Sequence, residues 1–165
     1  MTPLKKTELR RQEIIQAAAV HLIEHGLHDS GLRAIARSAG LSDRMIMYYF
    51  ATKEELVSEA LVLIGESLAD GMGAAVPNGN ATAKQILDAL TETLQSDDVQ
   101  AIMRLWFEII GLAMRGQQPY LRTAALLLER SEAQIRDKLR SDQKHRAREV
   151  LGALEGRVMV DLLIS

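Results

Sequence analysis

The sequence predicts an all-α protein, and three observations carry that reading. Only three prolines, Pro3, Pro77 and Pro119, interrupt its 165 residues. Between them apolar residues recur at the helical period, and no run alternates apolar with polar side chains as a half-buried strand does. Capping residues recur where helices should begin. This pattern places helices over residues 7–25, 31–39, 43–50, 53–70, 82–95, 97–115, 119–140 and 143–163.

Each element has a local reason. The first carries Ile14, Ile15, Ala17 and Ala18 and stops at Gly26; the second carries Ile35 and Ala36 and stops at Gly40. Glycine suits both ends because it enters the left-handed region without penalty. Leu41 plugs the following corner, and Ser42 can cap the third helix. Thr52 with Glu55, and Thr82 with Gln85, have the spacing of capping boxes for the fourth and fifth helices. The segment GMGAAVPNGN, residues 71–80, is rich in turn formers and reads as a loop between two helical layers. Residues 101–114, AIMRLWFEIIGLAM, are apolar nearly all round, broken only by Arg104 and Glu108. Such a helix must be covered on several sides, by a core, a partner subunit or a ligand. Pro119 suits the first turn of its helix, where a missing N–H does no harm.

Composition narrows the function. A chain of 18.3 kDa with 47% hydrophobic and 25% charged residues is one domain, or one with a small appendage, and needs no metal or disulfide to hold a core. The absence of cysteine excludes a thiol nucleophile and any cysteine-ligated zinc or iron–sulfur centre. No apolar run approaches the ~20 residues that span a bilayer, and the charged start has no apolar core behind it, so neither a membrane segment nor a signal peptide is expected and the compartment reads as cytoplasmic. The net charge of −2 divides unevenly: residues 1–53 hold eight Lys/Arg against five Asp/Glu, and residues 54–165 hold twelve against seventeen. The positive end is a candidate nucleic-acid face.

That end also contains two short helices about a tight turn, LRAIARSAG followed by LSDRMIMYYF. This is the form of a helix-turn-helix, whose second helix enters the major groove with its N-terminal residues toward the bases. Ile46 and Phe50, four apart, belong to the core side of that helix.

The block over residues 33–56, RAIARSAGLSDRMIMYYFATKEEL, resembles the DNA-binding signature of TetR-type transcriptional repressors: an Ile-Ala pair, Ala-Gly-Leu-Ser, an aromatic cluster ending in Phe, and Lys-Glu-Glu-Leu opening the fourth helix. The first helix agrees, with its Ile-Ile-x-Ala-Ala and then Glu24-x-Gly26, so the resemblance covers about the first third of the chain. It implies a DNA-binding head over residues 1–52 and a helical regulatory and dimerisation region over residues 53–165. It further implies that Ser30 and Arg33 grip phosphates, that Ser42, Asp43, Arg44 and Met45 face base edges, that Tyr48 and Tyr49 contact backbone or bases, and that Lys53 holds a phosphate. Arg44 is the candidate for direct readout, since arginine bonds guanine O6 and N7 together, and Met45 can meet a thymine methyl. Lys5, Lys6, Arg10 and Arg11 can form a basic arm. Three positions depart from the family pattern: Met47 replaces a tyrosine, Arg44 a small residue and Gly31 a threonine, which implies an operator unlike the family's average.

The resemblance continues in Leu105-Trp106-x-Glu108, and the family's later helices imply a ligand pocket, for which Met103, Trp106, Phe107, Ile110 and Met114 are candidates, and a homodimer interface. Leu121, Leu128 and Ile135 recur every seven residues, as do Leu151 and Val158, with Leu154 and Leu162 on the same face as the last pair; such stripes suit packing of the last two helices between subunits. The family usually continues about one helix beyond Ser165, which implies a trimmed or rearranged interface. The expected partners are therefore operator DNA, a small-molecule inducer and a second copy, with no cofactor. The competing reading is enzymatic. His21, Glu24 and His25 have the His-x-x-Glu-His spacing of inverted zinc proteases, two ligands and a base on one helix, but no third ligand is evident. A third reading is a DNA-binding regulator whose core is filled and which answers to no ligand.

Overall fold

A computed structural model describes residues 3–76 and 79–164, with side chains for all of these except 3–5 and 72–75. Among the described residues the chain is all-α, with helices α1 (Pro3–His25), α2 (Leu32–Ser38), α3 (Asp43–Tyr49), α4 (Lys53–Ala75), α5 (Ala83–Thr93), α6 (Asp97–Met114), α7 (Tyr120–Lys138) and α8 (Ala147–Ile164), and a 3₁₀ helix at Ser141–Arg146 between the last two.

The helix ends follow the expected chemistry in most places. Gly26 and Gly40 take φ of +70° and +65°. At the end of α2, Gly40 N–H donates to Arg37 and Leu41 N–H to Ala36, the paired bonds that satisfy a helix's last carbonyls. Thr82 and Gln85 complete a capping box, a device worth about 1 kcal/mol. At Thr52 only half of the box forms: its hydroxyl accepts from Glu55 N–H, while the Glu55 carboxylate turns to Ala51 N–H and to Arg11.

Four boundaries differ from the sequence expectation. The first helix starts at Pro3, a residue tolerated in a first turn. Residues 71–75 continue α4 rather than opening a loop, because Leu68 and Val76 pack on the second core and tertiary packing outweighs glycine's weak helix propensity. The seventh helix ends at Lys138, where Leu139 turns extended and pairs with Ala81 in an isolated bridge. The last α-helix begins at Ala147 because residues 141–146 wind as 3₁₀. Pro119 itself precedes α7 as its N-cap.

Two apolar cores run through the bundle. The first joins Ile14, Leu22, Ile35, Ile46 and Phe50 to Leu56 and Leu61 of α4, and reaches Leu105 and Ile109 of α6. The second gathers Ile86 and Leu90 of α5 with Ile135 of α7 and Val150, Leu154 and Val158 of α8. Here the expected intersubunit stripes are corrected in part: Ile135, Leu151, Leu154 and Val158 are buried within the chain, and Leu128 and Leu162 pack against that core, whereas Leu121 stays exposed. A seven-residue spacing marks a packed face but does not say whose helix covers it. The face of α8 left open runs through Gly152, Met159, Val160 and Leu163.

Candidate nucleic-acid interface and ligand cavity

The third helix is seven residues long and held by Ile46, which is fully buried, and by Phe50 just beyond it. Ser42 precedes it in extended conformation, and its hydroxyl accepts the Met45 N–H at 3.3 Å. That single anchoring row leaves Arg44, Met45, Met47 and Tyr48 exposed. Tyr48 is 75% exposed although aromatic, a placement that burial alone would not select. Its ring lies edge-on to Tyr49, 5.1 Å away, and Tyr49 packs half-buried against the first core.

Arg33 projects from the first turn of α2 and bonds Asp43 of α3 at 3.3 Å. An ion pair so exposed contributes about 0–1 kcal/mol, so a phosphate can compete for the guanidinium. Lys53 opens α4 half-buried, and Lys6 is exposed on α1. Lys5 lies outside the described side chains.

Two expectations at this face are corrected. Ser30 is completely buried, and its hydroxyl donates to the Gly26 carbonyl at 2.5 Å, so it braces the α1–α2 corner instead of facing a phosphate. Arg11 is not part of an arm: it bonds Glu55 and Glu59 of α4 and stacks on Phe50, 4.6 Å from the ring centre. Arg10 is held by Glu13 on its own helix.

His21, Glu24 and His25 do not form a ligand set. The His21 ring is buried, with Nδ1 2.8 Å from the Ser38 hydroxyl, whereas Glu24 and His25 are exposed. Burial, and then the charge of His25, hold the His21 imidazole below the usual histidine range despite Glu24. No cluster of three or more His, Cys, Asp or Glu able to hold a metal occurs among the described residues.

Beyond the head, α4 to α8 enclose a cavity of about 570 Å³. Its α6 wall is Ile102, Leu105, Trp106 and Ile109, an i, i+3, i+4, i+7 row, with Met103 beside it. Of the sequence candidates, Met103 and Trp106 line the cavity. Phe107, Ile110 and Met114 do not: they continue the adjacent row of α6, where Phe107 packs on the second core, Ile110 on the first, and Met114 is 84% exposed. A helix apolar all round hides which of its rows borders empty space.

Sequence reasoning missed two carboxylates. Glu155 lines the cavity and accepts the Trp106 indole N–H at 2.8 Å. Burial raises its pKa, and the Trp106 bond opposes that rise. A visible signal existed, because Leu151, Leu154, Glu155 and Val158 share one helical face on which an acid is out of place. Glu108, two residues beyond Trp106 on α6, accepts the Leu27 N–H at 2.8 Å just past α1, tying the cavity helix to the head. Nothing in the sequence marks that contact, since the partner is a backbone amide 81 residues away.

Comparison with known proteins agrees with this architecture. A model of the bacterial regulatory proteins of the tetR family matches residues 14–60. The HTH-type transcriptional regulator BetI of Escherichia coli (strain K12) is 30% identical over 165 residues, spanning 93% of this chain and 82% of BetI. The chain belongs to the TetR family. The HTH-type transcriptional regulator PksA of Bacillus subtilis (strain 168) is 28% identical over 107 residues, and the chain spans about half, 52%, of that relative's length. Among solved structures, the multidrug binding protein EbrR complexed with proflavin is 30% identical with a TM-score of 0.73, the match covering 93% of this chain and 89% of EbrR. In this TetR-family chain the matched segment contains α2, α3 and the exposed residues of α3, and no helix among the described residues is long and apolar enough to cross a membrane.

Proposed function

We propose that this TetR-family protein is a transcriptional repressor that binds a palindromic operator as a homodimer and releases it when a small, largely apolar molecule fills the α4–α8 cavity. The observation carrying the reading is α3: one buried anchor, a capped N-terminus, and Arg44, Met45 and Tyr48 left bare on the opposite side. Residues 1–52 act as the reading head and residues 53–165 as the regulatory region. Arg44 reads a base edge, while Arg33, Lys53 and Lys6 neutralise phosphates. The open face of α8, with its exposed small and apolar residues, suits a second copy. Two heads then meet half-sites about 34–36 Å apart.

The route from cavity to head has two links. Arg11 clamps α1 to α4 through Glu55 and Glu59, and Glu108 clamps α6 to the α1–α2 corner. Both α4 and α6 line the cavity, so a ligand that prefers a different spacing of these helices lowers DNA affinity by shifting the population of head orientations. EbrR, alike in fold and sequence, is a multidrug binding protein, which favours a ligand over a filled core.

The test is fluorescence anisotropy with duplexes from DNA flanking the protein's own gene, titrated with salt. Tight binding to one pseudo-palindrome, weakened by salt and by about 1–3 kcal/mol in Arg44→Ala, is expected. Binding that is sequence-blind and indifferent to the substitution would refute the assignment of α3.

A further inference from the structure

The geometry points to an apolar molecule carrying a protonated amine as the ligand of the α4–α8 cavity, with the Glu155 carboxylate as its counter-ion and Trp106 as its aromatic wall. This rests on the ligand-responsive reading and says which chemistry the ligand has.

Most of the wall is aliphatic, and its charged groups are of two kinds. Glu66 and Arg130 bond each other, both about half exposed, and so neutralise one another at the mouth. Lys138 donates to the Val76 carbonyl at 3.0 Å, and Asp70 is exposed in the C-terminal part of α4. Glu155 differs from all of these. It is drawn in from solvent, no cation is bonded to it, and among the described residues Trp106 is its one hydrogen-bond donor.

A carboxylate has room for about four hydrogen bonds, and burying it underpaired is unfavourable. The raised pKa of Glu155 is that penalty seen as proton affinity. A cation entering the cavity replaces the missing partner with a charge-assisted bond. An anionic ligand meets the Glu155 and Asp70 carboxylates, and a neutral ligand leaves Glu155 as it was. The cation is therefore favoured by the cavity's own imbalance.

Trp106 is the chain's one tryptophan, so its emission reports occupancy directly. Three probes on one saturated frame, transparent where the indole absorbs and emits, separate the charges: cyclohexylmethylamine, cyclohexylmethanol and cyclohexanecarboxylic acid. The full chain should bind the amine about tenfold more tightly than the alcohol, the size expected of one charge-assisted contact, and bind the acid least. In Glu155→Gln, which keeps an acceptor for the indole and so keeps the fold, that preference should vanish. Amine affinity should also rise with pH as Glu155 loses its proton, and the rise should be absent in the variant. The groups facing Glu155 across the cavity are Glu66 and Asp70 of α4 and Arg130 and Lys138 of α7; they are unchanged in the variant and so cancel.

An alcohol or acid that binds as well as the amine would overturn the assignment while leaving a ligand-responsive regulator in place. An amine preference that survives in Glu155→Gln would overturn it as well. Failure of all three probes to alter Trp106 emission, in protein that still binds operator, would refute a ligand cavity altogether and with it this inference.

Discussion

Substituting Gly26 by alanine should destabilise the protein by two separable amounts, and a double-mutant cycle with Glu108 isolates them. Gly26 has φ of +70°, a conformation that disfavours an L-residue by about 1–2 kcal/mol. A Cβ there would also lie 2.6 Å from the nearer oxygen of Glu108. The carboxylate is the end of a flexible side chain and can retreat, but retreat breaks its 2.8 Å bond to the Leu27 N–H. That bond is solvent-exposed, so a net loss of about 1 kcal/mol is reasonable. Gly26→Ala alone should therefore lose about 2–3 kcal/mol. In a Glu108→Ala background the bond is already gone, and the same substitution should lose only about 1–2 kcal/mol. The coupling of about 1 kcal/mol is read from urea denaturation of the four proteins at one protein concentration, since any dimerisation shifts the midpoint with concentration. Equal losses in both backgrounds would show that Glu108 is not seated on the α1–α2 corner. The proposed link from the cavity helix to the head would then fall with it.

Two further outcomes follow from the packing and the buried imidazole. Gly65→Ala in α4 would bring a Cβ to 2.5 Å from a Leu127 methyl, so the strain of overpacking, about 1–3 kcal/mol, should exceed the gain in helix propensity; a melting temperature equal to the parent's would contradict so close an approach of α4 and α7. The folded state keeps His21 neutral to lower pH than the unfolded chain does, so the unfolded state takes up the proton first and stability is lost as pH falls below about 6.5. Urea denaturation near neutrality and about one pH unit below that value should give a smaller difference for His21→Gln than for the parent, and an unchanged difference would show that His21 does not contribute.

How much of this was legible in the sequence depended on the range of the interaction. Helix ends set by neighbouring residues were readable: Gly26 and Gly40, Thr82 with Gln85, and Ser42 before α3. The head was readable too, because Ile46 and Phe50 separate from Arg44, Met45 and Tyr48 by helical spacing alone. The candidate site was legible only in part. Their place in the pattern puts Ser30 and Arg11 on DNA, yet one is buried under the Gly26 carbonyl and the other is committed to two glutamates 44 and 48 residues away.

The sequence by itself determined the fold class, the order of the helices and the face of α3 that stays out of the core, since each depends on spacing within a few residues. Only the tertiary structure decided which row of α6 borders the cavity, that the stripes of α7 and α8 beyond Leu121 close an internal core, and that Glu108 and Glu155 act across helices. An apolar stripe has the same pattern whether it meets its own chain, a second copy or an empty space. The choice among these is made by packing between residues distant in sequence, which local spacing does not encode.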